Sequence, residues 1–283
     1  MKKNIRLTAI AVIAAAALVI PTATFAATVD SKAAALLPAK IKKSGTIVVG
    51  IDATYPPNEY KDAAGKPIGW EVDLFNAVAA KLGLKVKYVV ATFDNILPAV
   101  KGGKYDVGVS SFTDTKEREA NFDFANYYSA GIQWATQKGK KVDPNNACGL
   151  IVGIQTGSVE VDDVKLKSDA CVKAGKKPIT VKTYDAQTQV TNALVLGSVN
   201  AMTADSPITG DAVAKTKGKL VLAGDIYGAA PYGYPVAKGS TLAKALSAAL
   251  TDIYADGTYK KILTKWGVQS GAISKFTING ATE

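Results

Sequence analysis

Histidine is absent from all 283 residues of this sequence. That excludes a histidine general base, every Ser-His-Asp or Cys-His triad, and any histidine-ligated zinc. Arginine is nearly absent as well: of 34 basic residues, only Arg6 and Arg118 are not lysine. There is no GxxxxGK[ST] phosphate loop, no GxGxxG, no Ser-x-x-Lys pair and no cluster of metal-ligand residues. Catalysis would have to run on carboxylates, lysine, tyrosine or serine, and no isolated acid stands in a clear site. No cofactor and no metal are expected. What is present is ordinary for a globular chain: 48% hydrophobic and 20% charged residues lie well away from the disordered regime. The length suggests two domains, with one as the alternative. The net charge of +10 raises nucleic acid or an anionic surface as a partner.

Residues 1–26, MKKNIRLTAIAVIAAAALVIPTATFA, carry a basic start (Lys2, Lys3, Arg6), an apolar stretch from Ile10 to Ile20, a break at Pro21 and small residues at Thr24 and Ala26. This is the pattern of a secretory signal peptide cleaved near Ala26. The apolar run falls short of the roughly 20 residues a membrane span needs, and no cysteine follows it, which argues against a lipid anchor. The mature chain is expected to be exported and soluble, periplasmic or secreted. Its charge falls to +7, from 31 basic and 24 acidic residues. The lysines are spread without a dense run, so no nucleic-acid partner is expected. In an oxidising compartment the only cysteine pair, Cys148 and Cys171, predicts a disulfide. Gly, Asn, Lys and Asp neighbours suggest a surface staple.

Strand and helix patterns alternate along the chain, which predicts an α/β architecture with mostly parallel sheets. TIVVGI (46–51) reads as a buried strand, 71–83 as a helix stopped by Gly83, and LKVKYVV (84–90) as a strand. Asp94 is placed to cap a short helix with Pro98 near its first turn. Tyr105–Val109 reads as another strand, 240–255 as a helix, and a second helix restarts after Gly257. Residues 268–283 are small and polar and read as a loose tail. A weak internal repeat is visible: VVGID (48–52) against IVGIQ (151–155), and GGKYDVGVSS (102–111) against LGSVNAMTAD (196–205). Two similar lobes would then present loops at strand C-terminal ends, where open α/β sheets bind ligands.

Arg118 is the one arginine beyond the N-terminal segment, close to a strand end. Only a guanidinium offers the planar fork that grips a carboxylate in two places, although an exposed helix position is an alternative. Asp205, at the corresponding place after NAMTA, is either a ligand carboxylate or the N-cap of the helix that follows. In QTGSVE (155–160), the amides after Gly157 and the Ser158 hydroxyl could face an anion, or form a plain turn. Tyr55 and Phe93 are stacking surfaces or core residues, and Asp52 caps a turn or reaches into a cleft.

Five segments together resemble the polar amino-acid-binding family of ABC-importer solute-binding proteins: VGIDATYPPNEY (49–60), GWEVDL (69–74), KYDVGVSSFTDTKEREANFDFANYY (104–128), VGIQTGSVE (152–160) and DGTYKKILTKWG (256–267). The resemblance spans about residues 45–267. It implies a two-lobed clamp of the type II periplasmic-binding-protein fold. Lobe 1 would be 45–130 plus 238–267 and lobe 2 would be 131–237, with crossings near 129–135 and 231–237. By position, the resemblance gives Arg118 the ligand α-carboxylate and Asp205 the α-ammonium. Thr113 offers its N–H and hydroxyl, and Ser111 a carbonyl to the ammonium. Gly157 and Ser158 form the second carboxylate-holding loop, Tyr55 and Phe93 the side-chain walls, and Asp52 a position facing the ligand side chain. Two departures stand out: Asn58 where an aromatic is common, and Trp70 in place of the usual Phe of the signature.

The expected function is capture of a free amino acid by lobe closure and delivery to an inner-membrane ABC permease, by a monomer and without catalysis. Two alternatives use the same fold: an exported enzyme resembling the cyclohexadienyl dehydratases, and a ligand sensor acting through a partner. Neither the amino acid nor the permease is readable from the residues.

Overall fold

The computed structural model describes residues 28–282. The signal-peptide reading of 1–26 lies outside the described residues. No helix among the described residues is long and apolar enough to cross a membrane.

The β-branched run Thr46–Ile51 forms a central strand. It pairs in parallel with Lys85–Val90 on one side and Val107–Gly108 on the other. The helix predicted over 71–83 is Trp70–Lys81, followed by Gly83 at φ +70°. It turns Leu74, Phe75, Val78 and Ala79 into the core beside the sheet. The C-terminal helices Leu242–Ala255 and Thr258–Trp266 return to this same core through Leu246, Leu250, Tyr259 and Leu263. One detail differs from expectation. The helix Phe93–Lys101 starts behind Thr92, not Asp94, and Pro98 lies well inside it. Asp94 instead accepts the Thr92 hydroxyl at 2.6 Å.

A second, five-stranded sheet is mixed. Its order is Leu220–Ala237, Phe122–Gln137, Ala201–Asp205, Ile151–Gln155, Thr180–Tyr184. The last three strands run parallel, as strand–helix–strand units require. The first two are long and antiparallel, paired from Leu220↔Gln137 to Ala237↔Phe122. They serve both lobes. Tyr127 and Tyr128 belong to the core under the first sheet, whereas Ile132 and Trp134 belong to the core of the second. The register breaks three times between Ala223 and Gly233, close to where the chain was expected to cross. Irregular pairing at that point lets one strand pair bend from lobe to lobe.

The tail is not loose. Val268, Phe276 and Ala281 are buried, and Ile278 bridges Ala125. The Gly280 N–H donates to Asp114 at 2.8 Å and to Asn126 at 2.9 Å. The reason is that Asp114 and Asn126 are buried polar groups that need partners, and the small tail residues let backbone N–H groups reach them.

Cys148 and Cys171 are joined, with Cα atoms 5.6 Å apart and 23 residues of separation. The bridge is less superficial than expected: Cys171 is buried and both pack on the second-lobe core. It ties the loop before Ile151–Gln155 to the helix Val159–Lys173. Closing a loop of this length contributes about 3 kcal/mol in the loop-entropy model. Replacing both cysteines with alanine should therefore lower the urea midpoint clearly while leaving ligand stoichiometry at one. An unchanged midpoint would show that the packing alone holds this corner.

Candidate functional site

The strand ends of the two sheets face each other, and the internal repeat meets there. Asp52 closes the first VVGID copy and Gln155 closes the second, and the Gln155 amide donates to the Asp52 carboxylate at 2.8 Å. Ser111 and Asp205, paired by the other repeat, both line the same cavity. Its wall also includes Tyr55, Phe93, Thr113, Arg118 and Ser158. Eight of the nine expected site residues thus converge. Gly157 does not line the cavity and acts from behind.

Arg118 lies in the short helix Lys116–Glu119, capped by the Thr115 hydroxyl. Its guanidinium donates to the Thr113 carbonyl at 2.7 Å and to the Gly157 carbonyl at 3.1 Å. Phe93 and Phe112, stacked 4.5 Å apart, lie beside it, each ring about 6 Å from the guanidinium carbon. Gly157 needs its φ of +80°, and a side chain there would press on Asp94. Burial lowers the Arg118 pKa, while Glu160 and Asp205 oppose that shift.

Asp205 sits at the N-cap position of Ser206–Lys215, with Pro207 in the first turn, but its side chain makes no capping bond. It accepts the Tyr55 hydroxyl at 2.7 Å. Burial and the charge of Glu160 push its pKa well up. Tyr55 is therefore more than an apolar wall, because its hydroxyl fixes the carboxylate. Asp52 is likewise more than a turn cap. It accepts from Gln155 and from the Phe93 N–H at 3.1 Å, and its second oxygen has no protein partner. Burial raises its pKa.

Sequence reasoning missed Glu160, Gln155, Ser110 and Val159, all of which line the cavity. Glu160 is 1% exposed, one of its oxygens is unpartnered, and burial raises its pKa. An acid in the first turn of a helix reads from sequence as a solvated partner of the helix dipole, so nothing marked it. Gln155 had a signal, since it takes the place of Asp52 in the second repeat copy. Among the described residues no group of His, Cys, Asp or Glu could hold a metal ion.

The charge balance of the wall is one cation, Arg118, against three buried carboxylates: Asp52, Glu160 and Asp205. The lobes are drawn together by bonds among these same groups: Tyr55 to Asp205, Gln155 to Asp52 and Arg118 to Gly157. A guest taken between them exchanges its own contacts for these.

Residues 47–269 match the family model for bacterial extracellular solute-binding proteins, family 3. The chain belongs to this family. Its relatives include the arginine-binding protein ArgT of Corynebacterium glutamicum, 39% identical over 248 residues, which are 87% of this chain and 82% of that protein. The L-cystine-binding protein TcyJ of Escherichia coli K12 is 28% identical over 80% of this chain and 84% of its own. Among solved structures, an ancestral arginine-binding protein bound to arginine superposes with a TM-score of 0.72 at 35% identity, covering 78% of this chain and 98% of that one. These neighbours are two-lobed amino-acid-binding proteins, the architecture seen here.

Proposed function

We propose that this solute-binding protein captures a free amino acid with a cationic side chain, arginine foremost, and delivers it to an ABC-type permease. The amino-acid transport role is the one its named relatives share, and they are binding proteins, which supports reading the chain as a binder rather than an enzyme. The observation that carries the cationic preference is the wall charge: three buried carboxylates face one arginine. A neutral zwitterion brings one ammonium and leaves two of the three carboxyl groups without a cationic partner, and burying an unpaired carboxylate is costly. A ligand with a second cation matches one more.

The ligand α-carboxylate sits on Arg118 with the Thr113 and Ser158 side, the α-ammonium on Asp205 and the Ser111 carbonyl, and the side-chain cation toward Asp52. Tyr55 and Phe93 flank its aliphatic part. Charge-assisted hydrogen bonds contribute about 1.5–3 kcal/mol each, so three or four supply about 4.5–12 kcal/mol, a range that brackets the roughly 8 kcal/mol of micromolar affinity. Grips on opposite lobes make closure ligand-driven. Lobe 1 is 45–130 plus 238–267, with the tail from Val268 packed on its core, and lobe 2 is 131–237. The protein works as an exported monomer, freed by cleavage near Ala26.

Thermal shift and titration calorimetry with arginine, lysine, ornithine, glutamine, glutamate and cystine test this reading. The basic amino acids should bind tightest and glutamate should give no shift. Tightest binding of glutamine or cystine would overturn the cationic preference and leave the transport role standing.

A further inference from the structure

Beneath the cavity floor lies a buried polar network whose Asn58, Glu59 and Glu71 are fully buried and do not line the cavity. Ser111, a non-glycine residue at φ +51°, forms part of that floor. A left-handed backbone at serine is unfavourable unless its surroundings impose it. The imposing group is Glu71, from the helix Trp70–Lys81. Its carboxylate accepts the Ser111 N–H on both oxygens, at 3.1 and 3.0 Å, and the Ser111 hydroxyl at 2.8 Å. The Tyr127 hydroxyl also donates to it. Every group hydrogen-bonded to Glu71 is a donor.

The rest of the network supports that clamp. The Asn58 amide donates to the Ser111 hydroxyl at 2.8 Å, and the Asn58 carbonyl accepts the Trp70 indole N–H at 2.6 Å. The two departures from the family pattern, Asn58 and Trp70, are therefore partners of each other. Glu59, also fully buried, accepts the Ser110 hydroxyl at 3.1 Å and lies 3.3 Å from the Ser111 hydroxyl. Burial and the neighbouring Glu71 push its pKa well up. No lysine or arginine is bridged to either glutamate among the described residues.

We propose that Glu71 is a positioning residue for amino-acid binding: it clamps Ser111 in the left-handed conformation and so aims the Ser111 carbonyl at the ligand ammonium. The clamp acts through the backbone, which makes it separable from charge and from packing. Glycine takes positive φ freely, so a glycine at 111 needs no clamp. Glu71→Gln keeps the shape of the side chain but places an amide donor where the network supplies only donors.

The test is a double-mutant cycle read by calorimetry with L-arginine as the probe. Glu71→Gln alone should weaken binding about tenfold or more, whereas in the Ser111→Gly background the same change should cost less than about threefold. Wild-type affinity in Glu71→Gln would overturn the proposal. So would an undiminished loss in the glycine background, since that would show action through charge or through the fold. Circular dichroism checks folding. If Glu71→Gln does not fold, the cycle is run with Tyr127→Phe, which strips one donor from Glu71 and leaves its charge. A loss that glycine relieves supports the clamp, and one that it does not relieve, or no loss, overturns it. The proposal rests on the Ser111 contact assigned under Proposed function, not on the cationic preference. If wild type binds glutamine or lysine in place of arginine, that amino acid becomes the probe, and the two failures remain distinct.

Discussion

Arg118→Ala is expected to abolish amino-acid binding at the concentrations where the wild type saturates. Removing one partner of a buried, hydrogen-bonded charge pair costs about 3–5 kcal/mol, which is roughly two to three and a half powers of ten in affinity. Two features place Arg118 at the upper end. It is the only cation in the cavity wall, so its loss leaves Asp52, Glu160 and Asp205 facing no positive charge. It also spans the lobes through the Gly157 carbonyl at 3.1 Å, so the closed state itself weakens. Arg118→Lys separates charge from shape. A lysine keeps the charge, but cannot hold the Thr113 carbonyl and a carboxylate in one plane, and most of the loss should persist. Calorimetry on the two variants decides the matter, and a wild-type isotherm for Arg118→Ala would refute the anion-grip assignment.

Much of this site was legible because its residues sit where strands end. A strand announces itself by β-branched runs such as TIVVGI, and residues at or just past its end lie at the sheet's C-terminal edge, as Asp52, Ser111 and Asp205 do. Arg118 was legible through scarcity: in a lysine chain, an arginine marks a need for fork geometry. The repeat was legible only as a faint sequence echo, yet it placed Asp52 and Gln155 within hydrogen-bonding distance.

What stayed hidden depends on contacts distant in sequence. The tail looks loose because Phe276 and Ile278 are too isolated to make a period, and its anchors, Asp114 and Asn126, lie more than 150 positions away. Glu160 and Glu71 both read as acids in a helix first turn, a place where solvated acids are common. Their burial is set by the opposing lobe and by Tyr127, which no local pattern reports. Lobe identity was partly visible, but the two long strands feeding both cores were not. A strand of 16 residues carries one continuous buried pattern, and its switch between cores, between Ala130 and Ile132, leaves no mark in hydropathy.

Asp205→Asn is expected to change both the strength of binding and its response to pH. The loss of a buried carboxylate facing an ammonium costs about 2–5 kcal/mol, and it should fall more heavily on arginine than on its deaminated analogue. Equal losses on the two would mean that Asp205 acts only through Tyr55. Burial in the closed cleft and the Glu160 charge raise the Asp205 pKa well above its ordinary value, and an ammonium bound beside it should lower that pKa and release a proton. Wild-type affinity should therefore rise with pH from the ordinary carboxylate range up to the raised value. Binding should release protons, seen as an enthalpy that differs between buffers of different ionisation heat. Stability moves the other way. Within that window the folded state binds more protons than the unfolded one, so stability of the free protein falls as pH rises. In Asp205→Asn both slopes should flatten, with Glu160, whose pKa is also raised, supplying what remains. An unchanged affinity slope in the variant would move the linked proton, and with it the cation grip, to Glu160.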